Sequence, residues 1–148
     1  MGKLRMYDIL LQQMKDEVTR LGVKELRTPQ DVDAVMAPGT GTTLVFINSS
    51  CGCAGGVARP ALGMALSHGV KPETLTTVFA TTDREAAARA REYFTDMPPS
   101  SPSFAVLKDG KLLEMIHRYE IERHYPEQVA QRLTELFEKY CAAVPQNS

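Results

Sequence analysis

The chain has 148 residues, of which 43% are hydrophobic, and a formal net charge of −1. This length fits a single domain over residues 1–148, which can bury a core without metal ions or disulfide staples. The balanced charge gives no basic patch for nucleic acid and no polybasic run for a membrane surface. No apolar run approaches the roughly 20 residues of a membrane-spanning helix, and the first residues do not read as a signal peptide. We therefore expect a cytoplasmic protein that binds neither nucleic acid nor a membrane.

Hydrophobic periodicity and turn residues predict an alternation of helices and strands. Helices are predicted at residues 6–21, from 29 onward, at 54–68, at 83–94 and from 126 onward. Strands are predicted at residues 23–26, 42–48, 74–80, 103–107 and 112–117. The apolar run from Leu44 to Ile47 is typical of a central strand that is covered on both faces. This order predicts an α/β fold with a mixed four- to five-stranded sheet between helices on both faces.

Local signals predict how three of these helices begin or bend. Thr28 and Pro29 form a good N-cap and first-turn pair for the second helix. Thr82 and Glu85 have the spacing of a capping box before the fourth helix. Pro60 falls inside the predicted 54–68 helix, where we expect a kink because proline lacks the backbone donor and clashes with the preceding turn.

Two cysteines, Cys51 and Cys53, directly follow the predicted central strand and precede a helix. The unpaired N–H groups of a first helical turn stabilise a thiolate, which is the nucleophilic form of cysteine. Cys51 is therefore predicted to be the attacking residue, with Cys53 as its resolving partner. A disulfide between residues two apart closes a small, strained ring, and we expect Gly52 to give the backbone the freedom that this ring needs. Such strain predicts a disulfide that is reduced more easily, and so has a higher reduction potential, than the disulfide of a strongly reducing thioredoxin.

Other interpretations of the cysteines remain open. The third cysteine, Cys141, ends the last predicted helix, and a metal-binding or redox-sensing module could use it together with Cys51 and Cys53. The cysteines could also be inert structural residues. The remaining histidines lack the paired spacing of a zinc finger, and three cysteines cannot all pair within one chain. The sequence therefore favours redox chemistry without a bound metal.

The segment 48–60, NSSCGCAGGVARP, resembles the active-site segment of the A/B-type bacilliredoxins. The likeness continues at residues 91–94 and 99–103 and at Arg118, Glu120, Ile121, Glu122, His124 and Cys141. It implies a thioredoxin-like, three-layer fold and an enzyme that removes bacillithiol from protein mixed disulfides. The partners would be bacillithiolated client proteins and low-molecular-weight thiols, with bacillithiol as a substrate and no resident cofactor. Since members of the family are also regarded as weak disulfide isomerases, a general isomerase is the alternative.

The resemblance also implies roles for residues around the cysteines. Cys51 would take the bacillithiol onto itself, and Cys53 would resolve the adduct. Pro102 matches the position of a cis-proline beside the active site, where Ser101 and Pro102 would dock the substrate disulfide. Arg59, about two helical turns after Cys51, would attract the carboxylate of bacillithiol, although a solvated arginine is the plainer interpretation.

Val45 marks a departure from the thioredoxins, which carry a buried acidic residue near this position. A valine cannot relay protons, so deprotonation of the attacking thiol must depend on other groups. This difference favours mixed-disulfide exchange over thioredoxin-type reduction. The acidic, basic and histidine side chains of segment 117–124 are predicted to form a surface polar network.

Overall fold

The computed structural model describes residues 2–141, with side chains from residue 5 onward. The strands are β1 (Lys24–Glu25), β2 (Thr42–Asn48), β3 (Thr74–Phe79), β4 (Ser103–Lys108) and β5 (Lys111–Ile116). The helices are α1 (Gly2–Thr19), α2 (Pro29–Met36), α3 (Arg59–Leu66), α4 (Arg84–Tyr93) and α5 (Pro126–Tyr140). A π-helical turn, Ala54–Ala58, precedes α3, and a 3-10 turn, Arg118–Glu120, follows β5.

The five strands form one mixed sheet in the order β1-β3-β2-β4-β5. β1, β3 and β2 run parallel, β4 is antiparallel to β2, and β5 is antiparallel to β4. Parallel neighbours need a crossover, and the helices between the early strands provide it. β4 and β5 are joined by a tight turn at Asp109 and Gly110, both of which have positive φ angles. The predicted mixed sheet of four to five strands is confirmed, with five strands.

β2 sends alternate side chains into two apolar cores, one on each face of the sheet. Leu44 and Phe46 pack in a cluster with residues of α3 and α5, whereas Val45 and Ile47 pack with residues of α2 and α4. All four side chains are fully buried, and the Phe46 ring stacks on Phe104 with 4.6 Å between centroids. The predicted three-layer α/β architecture is therefore confirmed, with β2 as its central strand.

The segment predicted as one helix over 54–68 is divided in the structure. Ala54–Ala58 forms the π turn, and α3 then begins at Arg59 with Pro60 in its first turn. A proline inside a continuous α-helix would clash with the preceding turn, and the wider π turn avoids this conflict. A kink was predicted at Pro60; the structure shows instead a change of helix type, from π to α, directly before the proline.

The capping box predicted at Thr82 and Glu85 is wrong. α4 begins at Arg84, with Asp83 at the N-cap position and no hydrogen bond from its side chain to the helix. The Asp83 carboxylate instead contacts the Lys15 ammonium of α1 at 3.4 Å. This contact between distant segments takes the side chain away from the free N–H groups of the helix.

α1 has 18 residues, several of them charged. Within residues 2–141, no helix combines the length and the apolar character needed to cross a membrane. The assignment of residues 1–148 to one domain stays a prediction.

Candidate active site

Cys51 and Cys53 lie just beyond the end of β2, at one edge of the sheet. β2 ends at Asn48, and Cys51 follows in the loop that leads to the π turn. β4 begins at the same edge because it is antiparallel to β2, so the preceding loop, with Ser101 and Pro102, lies level with the residues after Asn48. β5 ends there as well, and Arg118 follows it. Three segments that are far apart in the sequence therefore meet around the thiols.

Polar groups of three neighbouring residues surround Cys51. The Ser49 hydroxyl donates to Cys51 Sγ at 3.2 Å, and Cys51 Sγ and Cys53 Sγ lie 3.1 Å apart. The backbone N–H of Ala54, at the start of the π turn, donates to the Cys51 carbonyl at 3.2 Å and also helps to lower the pKa of the Cys51 thiol. Both cysteines are free and partly exposed. The arrangement suits a negative charge on Cys51 Sγ, because hydrogen bonds to an ionised acceptor are stronger than those to a neutral one.

The surroundings shift the pKa values of the two thiols in opposite directions. Burial raises the pKa of Cys51, but the hydrogen bonds from Ser49, Cys53 and Ala54 and the charge of Arg118 outweigh burial and hold this pKa below its ordinary value. Burial, the hydrogen bond to Cys51 and the charge of Cys51 raise the pKa of Cys53. Cys51 is therefore the more readily ionised sulfur, and Cys53 keeps its proton to higher pH.

Ser49→Ala should raise the pKa of Cys51, because the variant loses the hydroxyl that donates to the thiolate. Alkylation of Cys51 by iodoacetamide follows the thiolate fraction, so its rate rises with pH through this pKa. We expect the curve of alkylation rate against pH to shift to higher pH in this variant. The alkylation rate at neutral pH should fall about fivefold, since one hydrogen bond contributes about 1 kcal/mol. Mass spectrometry of the Cys51 peptide measures this rate.

Ser50→Ala is the matched control for Ser49→Ala. The Ser50 hydroxyl is exposed and contacts the Thr81 hydroxyl at 3.2 Å, and it makes no hydrogen bond to Cys51. This control should keep the alkylation curve of the unchanged protein. Superimposable curves for Ser49→Ala and the unchanged protein would contradict the role given to the Ser49 hydroxyl.

Arg59 supports the loop that carries Ser49. Its Nη1 donates to the Ser49 carbonyl at 2.8 Å and to Asn48 Oδ1 at 2.9 Å, and its Nε donates to Glu17 Oε2 at 2.9 Å. The side chain is only 5% exposed. Gly55 packs against it so closely that a Cβ there would lie 2.7 Å from Arg59 Nη2. Arg59 thus ties α1, the end of β2 and the π turn together beneath the cysteines.

Comparison with known proteins identifies the family. The sequence profile of the disulphide isomerase family matches residues 6–141. A bacilliredoxin of Geobacillus kaustophilus is 55% identical over 139 residues, which cover 94% of this chain and 95% of the relative. The chain belongs to the bacilliredoxin family. A second bacilliredoxin, from Staphylococcus aureus, is 53% identical over 132 residues, which cover 89% of this chain and 90% of the relative.

Solved thioredoxins share the fold of this bacilliredoxin-family chain. A thioredoxin variant of Halobacterium salinarum superposes with a TM-score of 0.55 at 17% identity, covering 82% of this chain and 93% of that one. The thioredoxin of Malassezia sympodialis gives a TM-score of 0.55 at 12% identity, covering 80% and 90%. The predicted thioredoxin-like fold is confirmed. Together with the bacilliredoxin relatives, this fold shows that the protein is a thiol–disulfide oxidoreductase.

Several residues predicted for the bacilliredoxin site lie together at this edge of the sheet. Cys51 and Cys53 are in contact, and the Ser101–Pro102 peptide bond is cis, as predicted. Pro102 is buried, whereas Ser101 is partly exposed. Gly52 is exposed, its φ angle is not positive, and a Cβ there would meet nothing within 4 Å, so neither its conformation nor a contact requires glycine while the thiols are reduced.

The expectation of a solvated Arg59 is wrong. Its guanidinium is buried and donates to Glu17, to the Asn48 side chain and to the Ser49 carbonyl. These contacts make Arg59 a positioning residue for the cysteine loop, and its role in binding the carboxylate of bacillithiol stays a prediction. The sequence could not show this, because Glu17 lies on a helix that reaches the site only through tertiary packing.

Arg118, for which the sequence predicted no role beyond a surface polar network, is a residue of the site. The network exists, since Arg118 Nε contacts Glu122 Oε2 at 3.2 Å and Glu120 Oε2 accepts the His117 backbone N–H at 2.9 Å. However, Arg118 also donates to the Ser101 carbonyl, and its charge helps to lower the pKa of Cys51. The β4–β5 hairpin creates this proximity, because it returns the chain to the edge of the sheet where Ser101 lies.

Cys141 lies at the opposite end of β2 from the other cysteines. Its thiol contacts Thr42, the first residue of β2, and burial raises its pKa. A strand of this length spans about 20 Å at about 3.3 Å per residue, whereas zinc–sulfur bonds measure about 2.3 Å. One metal ion cannot therefore contact all three cysteines. Among residues 2–141, no cluster of three histidine, cysteine or carboxylate residues has metal-binding geometry.

Proposed function

We propose that this protein removes bacillithiol from protein mixed disulfides, with Cys51 as the attacking residue and Cys53 as the resolving residue. The observation that carries the proposal is the contact between the two thiols, 3.1 Å apart, in which the surroundings hold the pKa of Cys51 below its ordinary value and the pKa of Cys53 above it. The choice of bacillithiol is supported by the resemblance in segment 48–60 and by the names of the bacilliredoxin relatives.

The first step is a thiol–disulfide exchange with no net change in oxidation state. The Cys51 thiolate attacks the bacillithiol sulfur of the mixed disulfide and forms a new S–S bond to it. The bond to the client breaks, and the client cysteine leaves as a thiolate, which takes a proton from solvent. The client is then reduced, and bacillithiol is carried on Cys51.

Cys53 completes the reaction in the second step. After losing its proton it attacks Cys51 Sγ, a bond forms between the two cysteines, and bacillithiol leaves as a thiolate. The pair is now an oxidised disulfide, which a cellular dithiol reductant or low-molecular-weight thiol must reduce before the next cycle. The raised pKa of Cys53 suits this order, because a protonated Cys53 does not compete for the client disulfide.

Two neighbouring features support the docking of a mixed disulfide. Ser101 and Pro102 form the loop beside the thiols, and we propose that their backbone aligns the substrate disulfide. Gly52 and Gly56 are exposed and carry no side chains, so they leave room for a bulky thiol to approach.

We place this reaction in the cytoplasm, where thiols are kept reduced and the oxidised pair can be recycled. The partners are bacillithiolated client proteins and low-molecular-weight thiols. The electrons for each cycle come from thiols, so the proposal includes no resident cofactor. It includes no nucleic-acid or membrane partner.

A panel of mixed disulfides on one client protein tests the proposed substrate. The same client cysteine is loaded with bacillithiol, glutathione or coenzyme A, and release of the client thiol is followed for each. We expect kcat/KM for bacillithiol to exceed the others by about tenfold or more, the equivalent of about 1.4 kcal/mol of selective binding. Cys141→Ser, which changes a thiol remote from the site, should keep the same order of rates.

The outcomes of this panel separate the parts of the proposal. A higher kcat/KM for glutathione or coenzyme A would contradict bacillithiol as the substrate while keeping the exchange chemistry. Release of no thiol from any client would contradict removal of low-molecular-weight thiols altogether.

A general disulfide isomerase is the second candidate, and the description of the matching family favours it. It would use the same cysteines on disulfides within one protein. Reactivation of a client with scrambled disulfides distinguishes the two. Reactivation faster than removal of bacillithiol would favour the isomerase.

A further inference from the structure

Arg118 places a partly exposed guanidinium at the edge of the sheet that carries the thiols. It directly follows β5, and its Nη1 donates to the Ser101 carbonyl at 3.1 Å. This bond fixes the side chain on the loop before Pro102. The side chain is still 45% exposed, so a molecule bound at the thiols has access to it.

The positive charge of Arg118 acts on both sulfurs. It helps to lower the pKa of Cys51, and it opposes the rise in the pKa of Cys53. In return, the hydrogen bond to Glu122 and then the charges of Cys53 and Cys51 raise the pKa of Arg118. The bond to the Ser101 carbonyl places the guanidinium at the edge of the sheet where the two sulfurs lie, which is why these charges interact.

Arg118 also has N–H donors that its bonds to Glu122 and Ser101 do not use. Its Nε bonds Glu122 Oε2 at 3.2 Å and its Nη1 bonds the Ser101 carbonyl, whereas no acceptor among residues 2–141 bonds its Nη2. A guanidinium has five N–H donors and holds a carboxylate through two parallel hydrogen bonds. Two other arginines lie at this edge: Arg59 is buried on its own partners, and Arg91, which donates to the Ser100 carbonyl at 3.4 Å, is partly buried. Arg118 is therefore the arginine that can receive a ligand.

We propose that Arg118 determines specificity by binding a carboxylate of the low-molecular-weight thiol while the sulfur of that thiol is transferred to Cys51. This inference rests on the proposed function and defines its substrate class as thiols that carry a carboxylate. Glu122 forms an ion pair with the same guanidinium, and the Glu122 side chain is 44% exposed. An ion pair this exposed is weak, so a substrate carboxylate can replace Glu122.

Two small thiols of matched shape test this inference. One client cysteine is loaded with mercaptopropionate, which carries a carboxylate, or with mercaptopropionamide, its neutral counterpart. We expect the unchanged protein to prefer the carboxylate about tenfold in kcat/KM, because a charge-assisted hydrogen bond contributes about 1.5 kcal/mol. Arg118→Gln should reduce this ratio to about one, and Arg118→Lys should keep part of it, since lysine retains the charge but not the paired donors.

The ratio between the two substrates is the readout, because Arg118→Gln also raises the pKa of Cys51 and slows both reactions equally. Glu122→Gln is the matched control on the same turn, and it should preserve or increase the preference by releasing the guanidinium. An Arg118→Gln protein that is slower but has an unchanged ratio would overturn the inference. Removal of bacillithiol but of neither small thiol by the unchanged protein would overturn the inference alone, whereas failure to remove bacillithiol would overturn the proposed function and the inference with it.

Discussion

Replacement of Cys51 by serine should abolish the removal of a low-molecular-weight thiol from a client protein. We expect kcat/KM to fall by about 10³-fold or more, as is usual when the nucleophile of a covalent mechanism is removed. The donors around this position, Ser49, Cys53 and the Ala54 N–H, stabilise a sulfur anion. They cannot ionise a serine hydroxyl at neutral pH. Release of the client thiol under multiple-turnover conditions measures the loss.

Cys141→Ser is the control for this experiment, since it removes a thiol at the far end of β2 and should leave turnover intact. Cys51→Ser should have the same thermal midpoint as the unchanged protein to within a few degrees, because Cys51 is not part of the apolar core. Cys141 is buried in that core, so Cys141→Ser should have a lower midpoint, and turnover is compared at a temperature where both variants are folded. If Cys51→Ser kept a tenth or more of the activity, another residue would have to carry the attack.

Arg59→Met should destabilise the protein by about 2–4 kcal/mol. The substitution leaves the Ser49 carbonyl without its buried donor and removes two further charged hydrogen bonds, to Asn48 and Glu17. Because the same contacts hold the loop beneath Cys51, the variant should also lose thiolate stabilisation. Urea unfolding gives the change in stability, and alkylation of Cys51 at neutral pH gives the loss of reactivity.

Two milder substitutions sharpen the test of Arg59. Glu17→Gln keeps the shape of a side chain that is 42% exposed and should cost less than about 1 kcal/mol. Arg59→Lys keeps the charge but cannot reach all three acceptors, so we expect an intermediate loss of stability. Equal unfolding midpoints for Arg59→Met, Arg59→Lys and the unchanged protein would contradict a supporting role for this arginine.

Val45 stands near the position where thioredoxins carry a buried acidic residue, and other groups stabilise the thiolate here. Val45 packs in the apolar cluster with α2 and α4 and has no polar contact with the cysteines. Thiolate stabilisation instead comes from the Ser49 hydroxyl, the neighbouring thiol, a backbone N–H and the charge of Arg118. These groups hold a negative charge on Cys51 without a proton relay, which agrees with exchange chemistry.

The sequence predicted most of the fold because the signals that it used are local. The continuous apolar run in β2 identified the central strand, and Thr28 caps α2 as expected, accepting a hydrogen bond from the Asp31 N–H at 3.1 Å. The two principal cysteines were identifiable because they are two residues apart after a buried strand. Chemistry that is concentrated in a short segment can be found before the fold is known.

The features that sequence analysis missed depend on tertiary contacts. Arg59 is buried because acceptors from α1 and from the end of β2 converge on it. Arg118 reaches the Ser101 carbonyl only through the β4–β5 hairpin, and Asp83 is drawn from its helix by Lys15. In each case the partner is remote in the sequence, and its position follows from the packing of the elements rather than from any local pattern.

The most direct test of the mechanism is the intact mass of the Cys53→Ser variant after one equivalent of bacillithiolated client has been added. Without Cys53 the reaction should stop after the first step. We predict that the variant gains the mass of one bacillithiol on Cys51 while the client regains its free thiol. A disulfide-linked complex between the variant and the client, or an unmodified variant beside an unchanged client, would contradict attack by Cys51 on the bacillithiol sulfur.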